Sequence, residues 1–219
     1  MTHWLVVAVL LLAAPAAWAA DTGAKLPLAA AAVGASAGDN DGFDAFTVSV
    51  VASVALSDNV YAIDNDSGSG VATDGCATFP QAEDDQHDFA TFAFGIPGGA
   101  TIDGIEVVIE ASVTTATGGT DIICVNISPD GGATWATAKA TADLTSTDAT
   151  FTLGGAADTW GRAWTDTEFS DVNFLLRLMP DASGSGLLDF QVDVLSTKVY
   201  YTAAAGGCTP RRTLLGVGC

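Results

Sequence analysis

The chain has 219 residues, of which 26 are acidic and 7 basic, giving a formal net charge of -19 and a pI of about 4.1. Such a surface repels nucleic acid and anionic membranes, so neither is expected as a partner, and the length suits one all-β domain with a sizeable core rather than two. Low lysine with abundant aspartate also fits a secreted protein that tolerates salt, or one whose carboxylates hold cations.

The N-terminus has the layout of a secretory signal peptide. Met1-Thr2-His3 lead into an apolar run from Trp4 to Ala14, followed by Pro15 and the small residues ending Ala17-Trp18-Ala19, with cleavage expected after Ala19. Only the terminal amine and His3 make its start positive, so an uncleaved anchor is the alternative, although the run is short for a bilayer span. No later segment is apolar and long enough for a transmembrane helix. The mature product is therefore expected to be soluble and secreted, extracellular or on the cell surface. Residues 20–42 are rich in Ala and Gly and read as a flexible lead-in. The folded domain is placed at 43–202 and a C-terminal tail at 203–219.

Within the domain, short β-branched or aromatic runs alternate with Gly, Asp, Ser and Pro clusters, the pattern of an antiparallel sandwich of jelly-roll type, and no amphipathic helix stands out. The clearest strand is 102–113. Ile105, Val107, Ile109, Ala111 and Val113 share one face, with Glu106, Glu110 and Ser112 on the other, as expected when one face is buried and one wet. A second strand, 121–128, runs into the turn Ser128-Pro129-Asp130-Gly131-Gly132-Ala133-Thr134-Trp135. That spacing of Ser128, Asp130, Gly132, Thr134 and Trp135 is the Asp-box. Asp130 is expected to accept hydrogen bonds from its own turn, a glycine to take positive φ, and Trp135 to cover the hairpin from the returning segment 133–138. Residues 172–178 and 189–194 also alternate, and the alternation slips at Leu195, which reads as a bulge or short break.

Four cysteines, Cys76, Cys124, Cys208 and Cys219, in an oxidising compartment read as disulfides. Three pairings are open. Proximity along the chain favours Cys76 with Cys124 and Cys208 with Cys219, and zinc is disfavoured because there is no Cys-x-x-Cys pair and His87 is the sole histidine beyond the leader. Asp64-Asn65-Asp66-Ser67-Gly68 has the alternating oxygen donors of a calcium loop, so Asp64 and Asp66 are candidate calcium ligands, with Asp39-Asn40-Asp41-Gly42 a shorter echo. Neither completes an EF-hand, and turns that satisfy their own backbone are the competing explanation. His87, among Glu83, Asp84, Asp85 and Asp88, reads as part of a solvated acidic loop. Asn65 and Asn126 head N-glycosylation acceptor triplets, the latter requiring a solvent-facing side chain.

Several stretches together, namely 57–62, 94–97, 100–107, the Asp-box, Thr159-Trp160-Gly161-Arg162 and Trp164-Thr165, resemble a β-sandwich domain recurrent in bacterial secreted proteins and phage structural or tail-associated proteins, mostly without assigned activity. The resemblance spans roughly residues 45–202. The Asp-box also resembles those of sialidases and related glycosidase propellers, where it recurs and lies away from the catalytic centre. A single copy cannot build a propeller, and Arg162 and Arg177 are the only arginines before the tail, so no catalytic residue carries over.

Three functions follow as alternatives. The first is a non-catalytic module on a cell, virion or extracellular matrix, either a surface or virion structural part or one that recognises a glycan or cell-surface ligand, with Trp160 or Trp164 stacking on sugar rings from a polar loop. The second is a glycosidase-like enzyme using a carboxylate pair such as Glu106 and Glu110. The third is a self-assembling structural subunit, hence a homo-oligomer, joined through the lead-in and the tail.

Overall fold

In a computed structural model of the chain, residues 19–33, 44–45, 49–64, 76, 85–116, 118–182 and 188–204 are described. Their strands are β1 (Ala19–Asp21), β2 (Ala29–Val33), β3 (Asp44–Ala45), β4 (Ala62–Asp64), β5 (Gln86–Ala90), β6 (Thr101–Val113), β7 (Asp121–Ser128), β8 (Lys139–Ala140), β9 (Ala149–Gly155), β10 (Leu175–Ala182) and β11 (Phe190–Thr202). A single helical turn, α1 (Val50–Ser53), and a 3-10 turn at Asp166–Phe169 complete the regular structure. All pairings are antiparallel and build two sheets, β3-β4-β11-β6-β9 with β1 added to β11, and β2-β5-β10-β7-β8. From β4 onward the chain alternates between the sheets except at the β7–β8 hairpin, so the fold is an all-β antiparallel sandwich wound in jelly-roll manner.

The period-two pattern of β6 is realised directly. Ile105, Val107, Ile109, Ala111 and Val113 are buried between the sheets, facing Ile123, Val125 and Ile127 of β7 and Leu176 and Leu178 of β10. Burying a Val, Ile or Leu side chain contributes about 1.5–3 kcal/mol, and the two longest strands, β6 and β11, pair along nearly their full length. At one end of the sandwich Phe92, Phe94, Trp164, Phe169 and Phe174 form a cluster of edge-on and stacked rings with centroids 4.9 to 6.3 Å apart.

Three expectations are corrected here. The segment expected to be a flexible lead-in supplies β1 and β2, one to each sheet. Asp21 lies opposite Tyr200, and Ala29–Val33 pair with Ala90–Gln86. Between them Lys25 exchanges two backbone hydrogen bonds of 2.8 Å with Thr197. The domain therefore begins well before residue 43. Alanine carries no alternation that would announce a strand, but it leaves the backbone free to pair with an open sheet edge.

The strand expected from residue 172 instead starts at Leu175, because the amides of Asn173 and Phe174 bond back to the Ser170 carbonyl and leave Val172 80% exposed. The strand expected at 189–194 continues as one element to Thr202, with a register shift between Val192 and Val194 that leaves Asp193 as the extra residue of a bulge.

β7 is buried on both faces. On its outer side Cys124 is bonded to Cys76, and Ile122 and Met179 pack beside them as a small second cluster. Closing a sequence separation of 48 residues restricts the unfolded chain by about 4 kcal/mol in the loop-entropy account. Cys208 and Cys219 lie outside the described residues.

Candidate functional site

The Ser128–Trp135 turn is held by its own side chains. Asp130 Oδ1 accepts the Thr134 amide at 2.7 Å and Oδ2 the Thr134 hydroxyl at 2.7 Å, while Ser128 Oγ accepts the Gly132 amide at 2.8 Å. The Thr134 hydroxyl and amide hold the Asp130 carboxyl below the usual carboxylate range. Gly131 and Gly132 both have positive φ, at 70° and 93°. Trp135 lies under the guanidinium of Arg177 at 4.3 Å, and Arg177 in turn grips both oxygens of Asp88 at 2.6 and 2.9 Å and Gln86 Oε1 at 2.9 Å. Trp135, Arg177, Asp88 and Gln86 thus couple the hairpin to β10 and β5.

The tryptophans expected to stack on a ligand are both buried, Trp160 at 1% and Trp164 at 7% exposure. Trp160 donates from Nε1 to the Ile105 carbonyl at 3.0 Å and has its backbone in the left-handed region at φ 54°. Its amide bonds to Asp158 Oδ1 at 2.9 Å, and Asp158 also meets Lys139 Nζ at 2.8 Å. Burial pushes Asp158 up, but Lys139 and the Trp160 amide outweigh it, so the carboxyl is held low. An indole locked this way offers no face to a sugar. The polar sequence around it misled because its partner, β6, lies more than fifty residues away.

Trp164 differs, because it borders a surface groove of about 510 Å³ lined by Thr101, Ile102, Thr159, Gly161, Arg162, Ala163 and itself. Its Nε1 donates to the Thr159 carbonyl at 2.8 Å, and the guanidinium carbon of Arg162 sits 4.3 Å from its ring centroid. Arg162 Nη2 donates to Glu168 Oε1 at 2.7 Å, and Glu168 Oε2 accepts the Thr165 amide at 2.6 Å. Burial raises the Glu168 pKa, yet the Thr165 amide and Arg162 more than compensate, so this carboxyl titrates below its ordinary range. Asp166 accepts the Gly99 amide at 3.0 Å and ties the 3-10 turn to the approach of β6. Sequence reading named Arg162 within Thr159-Trp160-Gly161-Arg162 but not as a site residue. Trp160 and Gly161 just before it both have positive φ, at 54° and 76°, a turn that only the structure shows.

The remaining candidates are scattered. Glu106 and Glu110 are four residues apart on β6, about 13 Å along a strand, and Glu106 is engaged by Lys198 Nζ at 3.0 Å and the Tyr200 hydroxyl at 2.9 Å. They do not face each other as a hydrolytic pair. A second polar cluster surrounds Tyr61, whose hydroxyl donates to Asp148 Oδ2 at 2.5 Å while Asp193 Oδ2 accepts the Asn59 amide at 3.0 Å. Burial first, and Asp148 after it, push the Tyr61 pKa up.

Asp64 is buried at the end of β4 opposite Phe190, and Asp66 lies outside the described residues, as do Asn65 and Asp39–Gly42. Among the described residues no group of three His, Cys, Asp or Glu side chains is placed to hold a metal. Asn126 is 2% exposed and accepts the Ile127 amide at 2.8 Å, so its side chain does not face solvent as a glycan there would require. His87, expected in a solvated loop, is instead 4% exposed within β5.

No family model matches the chain, and no curated protein does. Among solved structures it is similar to the xylan-binding module CBM15, with a TM-score of 0.35 and 10% identity over 88% of this chain and 99% of that one. It is also similar to the CBM22-1–GH10 portion of Clostridium thermocellum endo-1,4-beta-D-xylanase 10B complexed with xylohexaose, with a TM-score of 0.33 and 13% identity over 78% of this chain and 29% of that one. Likeness at this level does not extend to ligand or activity.

Proposed function

We propose that this chain is a secreted, non-catalytic β-sandwich module that binds a glycan in the groove beside Trp164 and Arg162. The observation that carries this reading is the composition of the groove. Trp164 and Ile102, each only 7% exposed, and the exposed Ala163 adjoin Thr101, Thr159 and one guanidinium, with no Asp or Glu in the lining. Alternating C–H and hydroxyl surface is what a pyranose presents, and a few fixed polar groups on an apolar floor are what a small-ligand site requires. Hydrolysis of a glycosidic bond would need two carboxyl groups facing the same bond, and the groove supplies none. Secretion is supported by the leader-like N-terminus and by the Cys76–Cys124 disulfide, a bond that persists in oxidising compartments.

The test is titration calorimetry of the purified protein against a panel of soluble oligosaccharides, with Arg162→Ala alongside. Truncating Arg162 should weaken binding by about tenfold, the loss of one charge-assisted hydrogen bond, while the circular dichroism spectrum stays that of the folded wild type. A panel without a single binder, or a variant that binds as tightly as the parent, would rule the site out.

A further inference from the structure

We propose that the groove selects uncharged glycans, and that Glu168 sets this selectivity by matching the charge of Arg162 from behind. This ligand class rests on the groove being a glycan site and goes one step past it. Arg162 is the sole ionisable side chain in the lining. Its charge is already paired, since Nη2 lies 2.7 Å from Glu168 Oε1, and the guanidinium carbon sits 4.3 Å from the Trp164 ring centroid. Glu168 is itself fixed by the Thr165 amide and stays ionised across the neutral range.

Carboxylates stand at the border of the groove, and the one cation beside Thr159, Lys139, is already paired with Asp158 at 2.8 Å. Asp166 faces the Gly99 amide, and Asp103, next to the lining residue Ile102, accepts the Thr202 hydroxyl at 2.7 Å. The whole chain carries a formal charge of -19. A uronate or sulfate entering here meets a paired arginine and a surrounding anionic field, whereas a neutral pyranose loses nothing. Its hydroxyls meet Thr101, Thr159 and Arg162, and its C–H face meets the exposed Ala163. Arginine as an anion clamp needs its fork free for the incoming carboxylate, and here Glu168 occupies one arm.

Glu168→Gln removes the matching charge while keeping a side chain that can bond either Arg162 or the Thr165 amide. The probes are xylohexaose, cellohexaose and mannohexaose, each beside a counterpart of equal length bearing one glucuronic acid. The wild type should prefer the neutral member by roughly tenfold or more at low salt. That preference should narrow as ionic strength rises from about 20 to about 500 mM, where the Debye length shortens to a few ångström. In Glu168→Gln it should fall to within about threefold or reverse, because an unpaired guanidinium favours carboxylate.

If Glu168→Gln does not fold by circular dichroism, Arg162→Gln serves instead. It should lower affinity for both members and widen the neutral preference. Equal or tighter binding of the glucuronate-bearing oligomers by the wild type overturns the selectivity and leaves glycan binding standing. An unchanged ratio in Glu168→Gln overturns the role of Glu168. Failure of the wild type to bind any neutral or acidic probe removes the glycan reading itself.

Discussion

His87 shows how a single side chain departs from its sequence surroundings. Acidic neighbours suggest a wet loop, yet Gln86 and Asp88 turn outward to Arg177 while His87 and Phe89 turn inward, with ring centroids 5.1 Å apart. Burial lowers the His87 pKa to about 4, only partly countered by Asp88. An unfolded histidine titrates near 6.5, so between those values the unfolded chain binds more protons than the folded one. Stability therefore falls as pH falls from about 6.5 to about 4, by about 3 kcal/mol over the interval, and shows no further loss from this group below it. Urea midpoints measured across that range should decline more steeply in the wild type than in His87→Leu. Parallel curves would place the histidine in solvent after all. The inward turn was legible only as a two-residue alternation, and the arginine that draws its neighbours outward lies on β10, far along the chain.

At the scale of elements, the junction of β6, β9 and the 158–164 loop is where backbone and side chain constrain each other most. Gly154 has φ 78°, and a Cβ there would meet the Ile105 carbonyl oxygen and lie 2.7 Å from Trp160 Nε1. Those are the two ends of the hydrogen bond that seats the indole. Gly154→Ala should therefore destabilise the protein by about 3 kcal/mol or more, combining left-handed strain with overpacking. Chemical denaturation reads this, and a shift under about 1 kcal/mol would show that the loop simply moves aside. The same loop carries Arg162, so on the proposed glycan reading the affinity at the groove should fall with stability in this variant. By contrast, the chemistry of the Ser128–Trp135 turn is contained in eight consecutive residues, with Asp130, Gly131, Gly132 and Thr134 bonding or bending within reach of one another. Its returning segment is not. The partner strand β8 has only Lys139 and Ala140 in register with Val125 and Cys124.

For the whole molecule, the decisive feature is that residues 19–33 are stitched into both sheets. β11 pairs with β6 on one edge, and on the other with β1, Lys25, Ala55 and β4 in succession. A chain beginning at Phe43 would leave part of that edge and the outer edge of β5 without their strands. It should melt at lower temperature and associate in a concentration-dependent way by light scattering, since open edges pair between molecules. A monomeric truncation with an unchanged melting temperature would return the N-terminal segment to the role of a linker.

What the sequence by itself determined is the part of the protein that depends on near neighbours. The two-residue alternation of Ile105 to Val113 sets an all-β, two-layer character, because side chains on a pleated strand must part to opposite faces. The glycines and Asp130 shape a turn over a few bonds. What only the tertiary structure decided depends on residues far apart in the chain. Trp160 became a core residue through a carbonyl 55 positions away, and the lead-in became strand through Tyr200 and Phe89. Arg162 became the polar group of a groove because Thr101 and Ile102 arrive there from another strand. Burial and charge pairing are properties of that assembled neighbourhood, and no local pattern of residues encodes them.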